Sequence, residues 1–115
     1  MRKSNTTIIA GVGMVAFGKP GASDNYDVMG ETAIRNALTD SGLDFTHIKQ
    51  AYAGYVYGDS TCGQKVIYKV GMTGIPVFNV NNNCSTGSSA LFMARQAVES
   101  GLVDCALAVG FEQMQ

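Results

Sequence analysis

Short apolar runs alternate with helical patterns along most of this 115-residue chain, and that alternation is what most restricts its fold. Thr7 to Met14 (TIIAGVGM) reads as a strand, and Gly18-Lys19-Pro20-Gly21 breaks it. Asp27 to Ser41 predicts a helix: Met29, Ala33 and Ala37 recur at four-residue spacing beside Ile34 and Leu38. Asp27 suits its N-cap and Gly42 its C-terminal stop. Ala51 to Tyr57 (AYAGYVY) is a second strand, Cys62 to Val70 a short helix closed by Gly71, and Pro76 to Val80 (PVFNV) a third strand. Pro76 fits there because it stands first and donates nothing to a ladder. From about Ser85 another helix begins, with Ala90, Leu91, Ala94, Ala97 and Val98 on one face and Gly101 as its stop. Cys105 to Val109 (CALAV) is continuously apolar, the pattern of a strand buried on both faces. The order β-α-β-α-β-α-β predicts an α/β fold: a four-stranded, mainly parallel sheet with right-handed crossovers and helices against its faces. The sequence stops at Phe111-Glu112-Gln113-Met114-Gln115, just after a strand that looks central, and so reads as truncated.

Composition removes several function classes. Apolar residues make up 46% and charged residues 15%, an ordinary globular balance, and the length favours one domain. Net charge is −1 with Lys and Arg scattered, which offers no electrostatic footprint for nucleic acid and no basic face for a membrane. No apolar run approaches the ~18 residues of a membrane helix. The basic start Met1-Arg2-Lys3-Ser4 leads into a strand-like run rather than a secretory apolar core. A cytosolic or organelle-matrix setting is the expectation. Three cysteines, an odd number widely spaced, do not form a disulfide framework, and with His47 the only histidine no metal site is expected.

The stretch richest in chemistry is Phe78-Asn79-Val80-Asn81-Asn82-Asn83-Cys84-Ser85-Thr86-Gly87-Ser88-Ser89-Ala90. A strand ends, three asparagines turn the chain, and a cysteine stands where a helix starts. Asparagine tolerates unusual backbone angles and bonds its own main chain, which suits a sharp elbow. Gly87 and the small residues around it allow close approach of a backbone or ligand. A free thiol with a pKa of about 8.5 is only a few per cent thiolate at neutral pH, whereas helix N-terminal N–H groups favour the anion. The same N–H groups can hold the oxyanion formed when a thiolate attacks a thioester. Elbow geometry alone fits equally well a buried, inert cysteine at a helix start.

The segment NVNNNCSTGSSALFMARQAVESG resembles the nucleophile region of thiolases, and among them the thiolase domain of sterol carrier protein X and its bacterial relatives. IIAGVGMVAFGKPG, AGYVYGDSTCGQ and KVGMTGIPVFNVNNNC agree, so the resemblance spans essentially the whole chain. The related 3-oxoacyl synthases also use an elbow cysteine, usually in a Cys-Ser-Ser run that this sequence lacks. The resemblance implies that residues 1–115 are the amino-terminal part of a thiolase N-domain, one incomplete thiolase-type half. It implies that Cys84 takes an acyl group from a 3-oxoacyl-CoA and passes it to a second coenzyme A in a ping-pong cycle. It also implies that the Cys84 N–H donates to the oxyanion, and that Phe78 to Asn81 pairs with its twin across a homodimer. Coenzyme A is then a substrate, and no cofactor or metal is implied. Thiolases further need an activating histidine, a second, proton-moving cysteine and an Asn or His at the thioester oxygen. These lie in a carboxyl-terminal half outside this sequence, so a chain of this extent is expected to be inactive alone. Peroxisomal location stays possible, since its signal would be carboxyl-terminal.

Other motifs were weighed against simpler roles. Gly11-Val12-Gly13-Met14-Val15-Ala16, with Glu31 downstream, matches the loose dinucleotide fingerprint G-x-G-x-x-A, but Phe17 to Pro20 intervene before any helix. A strand-end turn is the better reading. Cys62 suits a helix start near a dimer contact or active-site rim rather than a second catalytic thiol, and Cys105 suits the core. His47 falls in a loop at no catalytic position of the family. Tyr52, Tyr55 and Tyr57 suit strand packing, the methionines fill apolar gaps, and Asp59 has no recognisable partner. A self-associating, non-catalytic fragment is the alternative to the enzyme reading, and a nucleotide-binding module the weaker one.

Overall fold

A parallel sheet with helices on both faces organises the computed structural model, which describes residues 6–114. Its elements in chain order are α1 (Tyr26–Ser41), β1 (Gln50–Gly54), α2 (Cys62–Val70), β2 (Val77–Val80), α3 (Thr86–Glu99) and β3 (Ala106–Gly110), with a short 3-10 turn at Phe45–His47. The strand order is β2-β1-β3, and β1 pairs in parallel with both neighbours. Gly54, the last residue of β1, lies opposite Val80 on one side and Gly110 on the other.

Alternation along β1 divides the core. Ala51 and Ala53 face one side and pack with Ile34 of α1, Val66 and Ile67 of α2, and Phe45, Ile48 and Val109. Tyr52 faces the other side and packs with Ala90, Ala94 and Ala97 of α3. Alanines dominate the second cluster, which lets α3 approach the sheet closely. Gly42 ends α1 in the left-handed region at φ 71°, its N–H bonded to the Leu38 and Thr39 carbonyls. Lys69 Nζ lies 3.2 Å from Asp27 Oδ2 and ties α2 to the start of α1.

The α/β expectation with a parallel sheet holds, with four corrections. Thr7 to Met14 is not a strand, so the sheet has three strands among the described residues. This segment runs along α1 instead: the Val12 N–H donates to Asp40 Oδ2 at 2.8 Å, and Gly11 and Gly13 lie against the Ala37 and Ala33 carbonyls. Two residues without Cβ let the backbone lie directly on the helix, where it meets no ladder, and Ile8, Ile9, Val12 and Met14 point outward. β3 is an edge strand with only Val109 fully buried, and β1 takes the central place assigned to it from its apolar run. β1 ends at Gly54 rather than Tyr57, because the Glu112 carboxylate takes the Val56 N–H at 2.9 Å and draws the chain out of the ladder. Asn25, not Asp27, occupies the N-cap position of α1, without a side-chain cap bond; Asp27 sits within the first turn, buried against Lys69. The Gly11–Ala16 fingerprint opens into no helix. The basic residues at the start, like Gln115, lie outside the described residues.

Candidate active site

The turn after β2 is built almost entirely from bonds that asparagine and small hydroxyl side chains make to nearby backbone. The Asn83 N–H donates to Asn81 Oδ1 at 3.1 Å, closing an Asx-type turn. Asn83 itself has φ 50°, a left-handed conformation outside the ordinary range of a residue with a side chain. The Ser85 and Thr86 N–H groups then donate to the Asn82 and Asn83 carbonyls at 3.1 and 3.2 Å, and α3 begins. Asn82 Nδ2 reaches forward to Ser89 Oγ at 2.9 Å. Cys84 stands at the crest of this elbow, exposed.

The elbow rests on the sheet through glycines. A Cβ on Gly54 would lie 2.6 Å from Thr86 Cγ2, and one on Gly110 would lie 3.4 Å from Gly87 Cα. The start of α3 therefore sits over the carboxyl ends of β1 and β3, the end of a parallel sheet where open α/β folds place their ligands. Ser85, the N-cap residue, makes no side-chain cap; its hydroxyl turns back to the Asn82 carbonyl at 2.8 Å. The positive end of α3 is thus left without the usual oxygen in front of it, beside an exposed thiol.

The other sequence-singled residues fall elsewhere. Cys62 starts α2 at the same end of the sheet but is buried. Its hydrogen bond to Tyr26, with burial second, pushes the Tyr26 hydroxyl up to about 12. Cys62, Tyr26, Tyr55, Phe111 and Glu112 line a cleft of about 220 Å³, whose polar groups engage one another: Tyr55 Oη donates to the Asp59 carbonyl at 2.6 Å. Asp59, assigned no partner from sequence, is held there through its main chain. Cys105 is only half-buried, and burial together with Asp104 pushes its thiol up. His47 is exposed in the turn that precedes β1, at the opposite end of the parallel strands from Cys84. Tyr52 stacks on Phe78 at 5.2 Å and Tyr55 on Phe111, while Tyr57 is exposed rather than packed. The strand near Phe78–Asn81 is an edge of the sheet.

Sequence reasoning passed over Thr86, Gly54 and Asn79. Asn79 Oδ1 takes the Gly63 N–H at 2.7 Å while its amide donates to Gln64 Oε1 at 2.8 Å, fastening α2 to β2. The signal available for Gly54 was a glycine closing each of two apolar strands, AYAG and ALAVG.

Residues 7–115 match the family described as thiolase, N-terminal domain. The chain is 56% identical over 108 residues to sterol carrier protein 2 of Gallus gallus, covering 92% of this chain and 20% of that protein. It is 36% identical over 114 residues to benzoylsuccinyl-CoA thiolase subunit BbsB of Thauera aromatica, covering 97% of this chain and 29% of the subunit. Among solved structures, a priming β-ketosynthase of polyketide biosynthesis superposes with a TM-score of 0.72 at 29% identity, over 79% of this chain and 28% of that one. The chain thus spans about a fifth to a third of the proteins it resembles. With a thiolase-like parallel α/β fold and a family match running from residue 7 to residue 115, the chain belongs to the thiolase family.

Proposed function

We propose that the chain is the nucleophile-bearing part of an acyl-CoA acyltransferase and that Cys84 is its acyl acceptor. The observation that carries this reading is the exposed thiol of Cys84 on a left-handed elbow, beside the uncapped N-terminus of α3. The Cys84 sulfur attacks the keto carbonyl of a 3-oxoacyl-CoA and forms a C–S bond. The adjacent C–C bond breaks, and the departing acetyl-CoA carbanion takes a proton. A second coenzyme A then attacks the cysteinyl thioester, takes the acyl group and returns the thiol. The Cys84 N–H serves as one oxyanion donor, and the α3 dipole stabilises the thiolate that begins each cycle. Such a cycle further requires an activating histidine and a second, proton-moving cysteine, roles that this reading gives to none of His47, Cys62 and Cys105.

Dimerisation through β2 belongs to the same proposal. β2 is an edge, Phe78 on it is 43% exposed, and Leu91, Phe92 and Met93 of α3 are exposed as well. These features equally support a second reading, a non-catalytic chain whose role is self-association. Acyl transfer from an acyl-CoA to the chain, with coenzyme A leaving and compared with Cys84→Ser, separates the two. Loss of at least about a thousandfold in rate with the fold intact is expected for a covalent nucleophile. Acyl transfer that survives the substitution, or a wild-type protein that binds itself and takes up no acyl group, overturns the acyltransferase reading.

A further inference from the structure

Thr86 is one of only two buried polar residues among those described, 4% exposed at the first position of α3. A threonine at a helix start ordinarily accepts from N–H groups ahead of it. This one faces backward. Its Oγ1 donates to the Asn83 carbonyl at 2.6 Å and accepts the Asn82 N–H at 2.8 Å. Both partners precede Cys84 in the chain, so the hydroxyl bridges across the cysteine. The Thr86 methyl meanwhile packs on Gly54, at the end of the central strand. A β-branched side chain has few χ1 options, and a methyl seated on the sheet leaves the hydroxyl one direction to point.

We infer that Thr86 is a positioning residue for Cys84. It holds Asn82 and Asn83 so that Asn83 keeps its left-handed conformation, and this sets the direction of the Cys84 side chain and N–H relative to α3. A left-handed residue bearing a side chain persists only where its surroundings hold it, and the Thr86 bridge is the buried contact that does so here. Serine supplies the same two bonds without the methyl. Valine supplies the shape without the bonds. The inference rests on the nucleophile reading of Cys84.

The test is the pH profile of Cys84 alkylation, read by mass spectrometry in the full chain, for wild type, Thr86→Val and Thr86→Ser. In Thr86→Val the alkylation rate at neutral pH falls by up to about tenfold. Thr86→Ser keeps the wild-type profile even though its stability falls. A Thr86→Val profile that coincides with wild type overturns the positioning role while leaving the nucleophile reading intact. A wild-type Cys84 that reacts no faster than Cys105 overturns both. Hydrogen exchange of the wild-type Asn82 amide decides the matter even where Thr86→Val does not fold: protection well above that of Asn81 is expected, and exchange as fast as Asn81 overturns the bridge.

Discussion

Gly54→Ala probes the seat of the elbow through one added methyl group. Gly54 is not among the positive-φ residues, so the backbone accepts alanine and the cost is steric. The new Cβ would lie 2.6 Å from Thr86 Cγ2, 2.9 Å from the Thr86 carbonyl oxygen and 3.1 Å from the Thr86 carbonyl carbon. Against ordinary carbon contacts of about 3.5–4.0 Å, the overlap with the methyl is on the order of 1 Å. Two of the three atoms are backbone, and the methyl turns aside only by taking the Thr86 hydroxyl off its two partners. Overpacking of this kind costs about 1–3 kcal/mol, and a lost hydrogen bond about 1 kcal/mol more. Alanine regains about 0.5–1 kcal/mol of backbone entropy over glycine. The expected net destabilisation is about 2 kcal/mol by urea unfolding at unchanged m-value, with slower Cys84 alkylation. Gly87→Ala is the control. Its Cβ meets nothing within 4 Å on a helix, so stability stays level or rises by about 0.5–1 kcal/mol. A Gly54→Ala protein with the wild-type midpoint and the wild-type Cys84 rate refutes the idea that α3 is seated on Gly54.

Three more outcomes are expected. Burial disfavours the Asp27 carboxylate, but the hydrogen bond and charge of Lys69, with Lys65 and the Val28 N–H, outweigh it and hold the group below its ordinary 3.8. Its contribution is therefore present above that value and lost as pH falls through the depressed one. Asp27→Asn should flatten the acid side of a stability–pH curve measured by urea unfolding. Cys62→Ala removes the main cause of the raised Tyr26 hydroxyl, so the phenolate should form nearer pH 10 than 12 in an ultraviolet titration. Phe78→Asp puts a charge on the edge strand without touching the elbow. Light scattering should show a smaller assembly than wild type if β2 joins two copies.

Local chemistry made the helices legible: Gly42 stops α1 in the left-handed region, Gly71 follows α2, and Ala90, Ala94 and Ala97 form the buried stripe of α3, although Leu91, assigned to the same face, is exposed. Pairing was less legible, because an apolar run does not state its neighbour. Thr7 to Met14 has strand composition yet lies along α1, and CALAV reads as a central strand yet sits at an edge. At the elbow, the asparagine run foretold a strained turn, and Asn83 is indeed left-handed. Its resemblance to thiolases then singled out Cys84. Thr86 stayed hidden because a threonine at a helix start has an ordinary meaning, and only three-dimensional placement shows its hydroxyl facing the residues behind it.

The most direct measurement is capture of the acyl group. The chain is incubated with an acyl-CoA, quenched in acid and digested, and the cysteine peptides are weighed. An acyl thioester on the peptide containing Cys84, absent from those of Cys62 and Cys105 and discharged by added coenzyme A, is the predicted result. No adduct on Cys84, or an adduct on either of the other two cysteines instead, contradicts the account.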